Sequence, residues 1–197
     1  MKKKDGIDMC VFNELRKKYN YFNDFYDLDR IENIAIEVRE MFDLKEIPTQ
    51  IANIIDRVGI KIFSLEMPDN LSGRIGIKKE FEEIFGSKKI LQINSKDNRG
   101  HQRFTMAHEL GHYIFDYDGY NDYADAYSLE EENIKAPGEK RVNRFAAALL
   151  MPRNNFIDKY KARKTLGIDD IEICKSLAKE FDVSETAVSK RIVELDL

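Results

Sequence analysis

His108 and His112 bracket Glu109, Leu110 and Gly111 in the run His108-Glu109-Leu110-Gly111-His112. On a helix, residues four apart share a face with their Cβ atoms about 5–6 Å apart, so two imidazoles can grip one metal ion. Glu109 lies too close in sequence to His108 to ligate comfortably, and faces instead the water at an open coordination position. That arrangement supplies both halves of peptide hydrolysis. The metal acidifies the water and polarises the carbonyl, while Glu109 removes and relays the proton. The chain has only three histidines, and two of them fall at this spacing. Phe104, Ala107, Leu110, Ile114 and Phe115 form an apolar side that packs the helix and leaves the histidines facing a cleft. Gly111 costs such a helix about 1 kcal/mol against alanine, which the close approach of another backbone would explain.

A catalytic zinc site needs a third protein ligand. His101, seven residues before His108, reads as a surface loop histidine. The acidic, tyrosine-rich stretch 116–133 reads as a loop and offers Asp116, Asp118, Asp122, Asp125 and Glu130, Glu131 and Glu132. A mobile loop is a poor base for a rigid ligand, although its charge would attract a basic substrate. Glu139 opens the next well-patterned helix. The residues alone leave two readings for it: the third ligand, or an ordinary acidic residue favoured by the dipole at a helix N-terminus. Asn143 lies one turn further on the same face, where its carbonyl could accept a bond from a ligand imidazole N–H. Tyr113 and Arg103 are near the motif without an assigned role.

Several elements must position these residues. Ile31, Ile34, Ala35, Val38, Met41 and Phe42 recur at helical spacing. Pro48 suits the first turn of a second helix carrying Ile51, Ile54 and Ile55, which Gly59 ends. Strands are expected over 60–65, 73–78 and 89–94, forming a small, mostly antiparallel sheet. A helix over 102–115 carries the histidine motif. Another over 139–151 presents Val142, Phe145, Ala146, Leu149 and Leu150 on one face and stops at Pro152.

Composition bounds the class. At 197 residues, with 43% hydrophobic and 35% charged side chains, the chain suits one medium α+β domain with a small appendage. A net charge of -4 gives no global pull toward nucleic acid or membranes. The basic start MKKKDGIDMC lacks the apolar run of a secretory signal, and no window reaches the ~20 apolar residues that span a bilayer. Two distant cysteines, Cys10 and Cys174, fit a reducing cytoplasm. Any zinc site must then use histidines and carboxylates, which points to catalytic rather than structural metal.

The segments RFTMAHELGHYIF (Arg103 to Phe115) and EKRVNRFAAALLMP (Glu139 to Pro152), with LQINSKDN before them, resemble the ImmA/IrrE family of bacterial and phage metallopeptidases. The resemblance covers residues from about 30 to about 160. It implies a gluzincin-like site with zinc, or manganese, held by His108, His112 and Glu139, and with Glu109 as general base. It also implies a protein substrate, a helix-turn-helix repressor whose cleavage switches on mobile-element transfer, prophage induction or a DNA-damage response. One departure is Val142, where the family commonly has alanine. The expected division is a charged leader over 1–28, a metallopeptidase domain over 29–160 and a helix-turn-helix-like tail over 161–197. In the tail, Leu177, Ala178 and Phe181 pack the first helix, and Ser184 caps a second with Ala187, Val188, Ile192 and Leu195 inward. Its outer set, Glu185, Thr186, Ser189, Lys190, Arg191 and Glu194, is mixed in charge, which favours packing or substrate recognition over DNA reading. The competing class is a DNA- or protein-binding regulator with a vestigial or structural metal site. The intact Glu109 speaks against it.

Overall fold

The computed structural model describes residues 9–19, 27–128 and 137–197. Their elements run α1 (Met9–Lys18), α2 (Leu28–Met41), α3 (Ile51–Arg57), β1 (Lys61–Leu65), β2 (Leu71–Ile77), α4 (Phe81–Phe85), β3 (Lys89–Asn94) and α5 (Arg99–Phe115). There follow β4 (Tyr123–Ser128), α6 (Pro137–Leu150), α7 (Arg153–Thr165), α8 (Asp170–Phe181) and α9 (Glu185–Glu194). The fold is α+β, as the pattern of the chain implies. Pro48 follows a cis peptide bond and precedes α3 rather than entering its first turn.

The four strands form one sheet in the order β1-β3-β2-β4. β2 pairs antiparallel with both β3 and β4, and only β1 and β3 run parallel. Side chains alternate between the faces of a strand, so the register defines rows across the sheet. One row reads Ile62, Leu91, Ile75, Asp125. Three apolar side chains are thus followed, on the same face, by a carboxylate. β4 lies inside the stretch read as loop, and that reading is corrected here. The strand has no apolar alternation because an aspartate stands between its two inward tyrosines, Tyr123 and Tyr127. Glu130, Glu131 and Glu132 lie outside the described residues, as do residues 1–8 and 20–26 of the leader.

α5 is the central element, covered by the sheet on one side and by α6 on another. Asn98 caps its start, accepting from the amide of His101 at 3.0 Å. At its end Arg16 of α1 donates to the carbonyls of Ile114 (2.7 Å) and Tyr113 (3.0 Å), two of the orphan acceptors of a helix C-terminus. Residues 9–18 of the leader therefore form a docked helix, with Phe12 and Leu15 buried, rather than an unpatterned segment.

Gly111 has a clear reason. A Cβ there would lie 2.6 Å from Val142 Cγ1 and 3.2 Å from Phe145 Cδ1, so the close approach is made by side chains of α6 and not by its backbone. The valine at position 142 fills the space that the missing Cβ leaves.

The tail folds back onto the start of α5. Arg99 pairs with Asp182 through contacts of 2.7 to 3.0 Å, and Arg103 donates to the Asp182 carbonyl at 2.8 Å and to that of Thr49 at 2.7 Å. A Cβ on Gly100 would meet the backbone of Val183 and Ser184 at 2.8 Å, so the turn between α8 and α9 sits directly on the first turn of α5. Ser184 caps α9 as expected, accepting from Ala187 N. Arg191 is not an outer residue. It is 1% exposed, donates to Met151 O at 3.0 and 3.2 Å and pairs with Glu32 at 2.5 Å and Glu194 at 2.9 Å. Helical periodicity placed it outside because spacing carries no information about a buried carboxylate contributed from α2.

Two stability measurements follow. Arg191→Ala leaves Glu32 buried and unpaired, and urea unfolding should show a loss of about 3–5 kcal/mol. Gly111→Ala should cost stability by overpacking, about 1–3 kcal/mol less the ~1 kcal/mol gained from helix propensity. Adding Val142→Ala should recover much of that loss, and additive single and double variants would contradict the contact.

Candidate metal centre

His108 and His112 project from α5 with their Nε2 atoms 3.0 Å apart. Glu139, in the first turn of α6, places Oε2 3.2 Å from His108 Nε2 and Oε1 3.2 Å from His112 Nε2. One ligand atom from each of the three lies within 4.8 Å of the others. Two imidazole nitrogens and a carboxylate oxygen are the donors a borderline divalent cation prefers, so these residues fit a metal ion. Of the two readings left open for Glu139, the fold brings it to the histidines.

The outer contacts hold the rings in place. Asn143 Oδ1 lies 3.0 Å from His108 Nδ1, the contact expected from its position one turn after Glu139. His112 Nδ1 lies 2.8 Å from Asp116 Oδ2, and Asp116 in turn pairs with Arg141. Such partners fix the tautomer of a ligating imidazole and raise its basicity. Asp116 and Arg141 were not singled out from sequence for this role. Asp116 sits four residues after His112, a helical spacing that could have flagged it.

Two further residues come from β4. The Tyr127 ring lies 4.0 Å from that of His108, tilted by 31°. Asp125 Oδ2 is 2.8 Å from His112 Nε2, without the alignment of a hydrogen bond. Strand pairing with β2 thus brings one carboxylate of the acidic stretch, Asp125, to His112. His101 is apart from the centre, in the first turn of α5 with Nε2 2.8 Å from Ser72 Oγ. Tyr113 hydrogen-bonds Lys89 Nζ at 2.7 Å, and Arg103 serves the tail, so neither faces the histidine pair.

Glu109 is wholly buried, and neither carboxylate oxygen has an aligned hydrogen-bond partner, although the Tyr127 amide is close enough to pull its carboxyl down. Burial drives its carboxyl up to about 8, against the pull of His112 and with the charge of Asp125 adding. Burial also pushes His112 down, but the carboxylates of Asp116, Asp125 and Glu139 outweigh it and raise the imidazole to about 12. His108 goes the other way, lowered chiefly by burial. Glu139 is held down at about 2 because its two histidine contacts overcome its own burial.

The sequence profile of the Peptidase M78 family, described as the IrrE N-terminal-like domain, matches residues 55–193. The chain belongs to that family. The ImmA/IrrE resemblance read from Arg103–Phe115 and Glu139–Pro152 is to the same group. The radiation response metalloprotease IrrE of Deinococcus radiodurans is 45% identical over 65 residues, which are 32% of this chain and 19% of that protein. A solved Mycobacterium tuberculosis transcriptional regulator superposes with a TM-score of 0.52 at 21% identity, covering 92% of this chain and 51% of that one. At that identity the likeness is one of fold. The chain thus spans about half the length of the solved relative, and its match to the Deinococcus protein covers about a fifth of that protein. Among the described residues no helix is long and apolar enough to cross a membrane.

The raised carboxyl of Glu109 has a consequence for stability. A folded-state value of about 8 against an ordinary 4.5 means that the folded chain binds this proton more tightly than the unfolded chain. The stability it contributes is present below the ordinary value and is lost as pH rises toward 8. In chelator-treated protein, Glu109→Gln should therefore raise Tm by several degrees near pH 8 and by little near pH 5. Equal shifts at both pH values would show that Glu109 does not titrate in that window.

Proposed function

We propose that the chain is a cytoplasmic, zinc-dependent endopeptidase that cleaves a protein substrate, a helix-turn-helix repressor. The observation that carries this reading is the convergence of His108, His112 and Glu139 beside a buried Glu109 whose carboxylate oxygens have no aligned hydrogen-bond partner. A carboxylate kept dry and unpaired is costly, and a structural metal site has no use for one. In this reading His108, His112 and Glu139 hold zinc, with manganese the alternative ion. When bound, the ion acidifies a water and polarises the scissile carbonyl.

The chain's own residues do the rest. Glu109 Oε takes the proton of the attacking water and passes it to the leaving amine nitrogen. Asp116 and Asn143 keep the two rings oriented through their Nδ1 atoms. Arg141 holds Asp116 in place. The low-dielectric surroundings that raise the Glu109 carboxyl also make it a stronger base than an exposed glutamate.

The curated relative is named a metalloprotease, and family membership supports the same class for this chain. The repressor substrate rests on the ImmA/IrrE resemblance. The competing regulator reading rests on the helix-turn-helix-like layout of α8 and α9. Against a DNA-reading tail, the outward face of α9 carries Lys190 as its basic residue, while Arg191 is buried against Glu32. Two cysteines in the whole chain, with Cys174 free, agree with a reducing compartment.

The deciding experiment is cleavage of candidate helix-turn-helix repressors by the wild type and by Glu109→Gln, with metal content measured on both. The wild type should cut, and Glu109→Gln should keep its metal while losing about 10²–10⁴-fold in rate. Glu139→Ala should lose metal and activity together. Cleavage by metal-loaded Glu109→Gln at the wild-type rate would sink the mechanism.

A further inference from the structure

The HExxH segment is sealed as it stands. His108 and Glu109 are 0% exposed and His112 is 5% exposed. Asp125 and Glu139, beside them, line an open cavity, and for a peptide bond to pass from it to Glu109 the residues between must move. β4 is the element that covers the histidines, through Tyr127 on His108 and Asp125 on His112.

Three features of β4 bear on such a movement. Among the described residues it is, like β1, an edge strand, joined to the sheet through one neighbour, β2. Its outward residues, Ala124 and Ala126, are exposed and small, so its hold comes from the β2 ladder and from its inward side chains. Its middle inward residue is an aspartate, placed where the rest of its row across the sheet is apolar. Asp125 Oδ2 lies 2.8 Å from the same His112 nitrogen that faces His108 Nε2 and Glu139, and makes no aligned hydrogen bond there. An oxygen so close to a ligating nitrogen is within reach of the ion that nitrogen would hold.

An extended peptide binds a sheet by pairing with a free edge. Were β4 absent, the free edge beside Glu109 would be that of β2, because β3 occupies its other side. β4 therefore fills the place in which an extended substrate would lie against the histidines.

We propose that β4 is a built-in competitor for the substrate and that Asp125 is a fourth, displaceable protein ligand of the metal. This rests on the metallopeptidase reading. While β4 is paired, its backbone blocks the β2 edge and the Asp125 carboxylate takes the coordination position that catalysis needs open. When β4 peels from β2, edge and coordination position are released together. Asp125 thereby couples access of the substrate to the state of the centre.

The test uses the full chain loaded with Co²⁺, with Asp125→Ala and Asp125→Asn compared to the wild type. Asp125→Asn keeps the size of the side chain and so guards against misfolding. Loss of a carboxylate ligand should change the visible absorption of the bound cobalt and speed its removal by EDTA by about 10-fold or more. Acetohydroxamate, a small metal-directed ligand, should bind both variants about 10-fold more tightly than the wild type. Amide hydrogen exchange across Tyr123–Ser128 should be faster in both variants. If the variants match the wild type in cobalt spectrum, EDTA release and acetohydroxamate affinity, the proposal is overturned and the metallopeptidase reading survives. If the wild type takes up no cobalt, that reading falls as well.

Discussion

The structure depends on keeping the two buried imidazoles of one helix supplied with partners. α5 buries His108, Glu109 and His112 together with Leu110, Ile114 and the rest of its apolar side. Charged and polar groups out of water are stable only when paired. The pairing cannot come from α5 itself, apart from the contact between its two imidazoles. It comes from Glu139 and Asn143 on α6, Asp125 on β4 and Asp116 just past the helix end. Each of these elements is fixed in place by what its carboxylate or amide must reach, as much as by the apolar surface it covers.

That requirement makes both ends of α5 sites of attachment for distant parts of the chain. α1 supplies Arg16 to the last carbonyls, and the turn between α8 and α9 rests on the first turn through Gly100, Arg99 and Arg103. A further arginine, Arg39, satisfies Leu149 O near the end of α6 together with Thr49. Guanidinium groups suit this task because their donors form a fixed fork and their charge is retained on burial. α1 and the tail are thus parts of the frame that fixes the histidine-bearing helix along its axis. A shift of that helix would move both imidazoles at once.

The sheet has a different part. Its apolar rows cover α5, and its last strand carries the exception, an aspartate flanked by tyrosines. The same pairing that stiffens β4 enough to present Asp125 also leaves it at an edge, where only one neighbour holds it. Stiffness and detachability coexist there because a ladder to one neighbour is ordered when formed and is the part of a sheet most readily undone.

The histidine pair, its central glutamate and the helix carrying them were legible in the residues because helical spacing is local and strict. The same holds for the apolar faces of α2, α6, α8 and α9 and for the cap at Ser184. Asn143 was legible as a partner because it lies one helical turn from Glu139. β4 was not, since its inward face carries polar side chains whose partners lie on α5. Nor was the burial of Arg191, whose partner Glu32 is distant in sequence. Sequence by itself determined which atoms can do chemistry and which faces of the helices turn inward, because both follow from side-chain type and periodicity. Tertiary structure alone decided which of many carboxylates reach the histidines and that a strand covers them, because those depend on contacts between segments that no local period encodes.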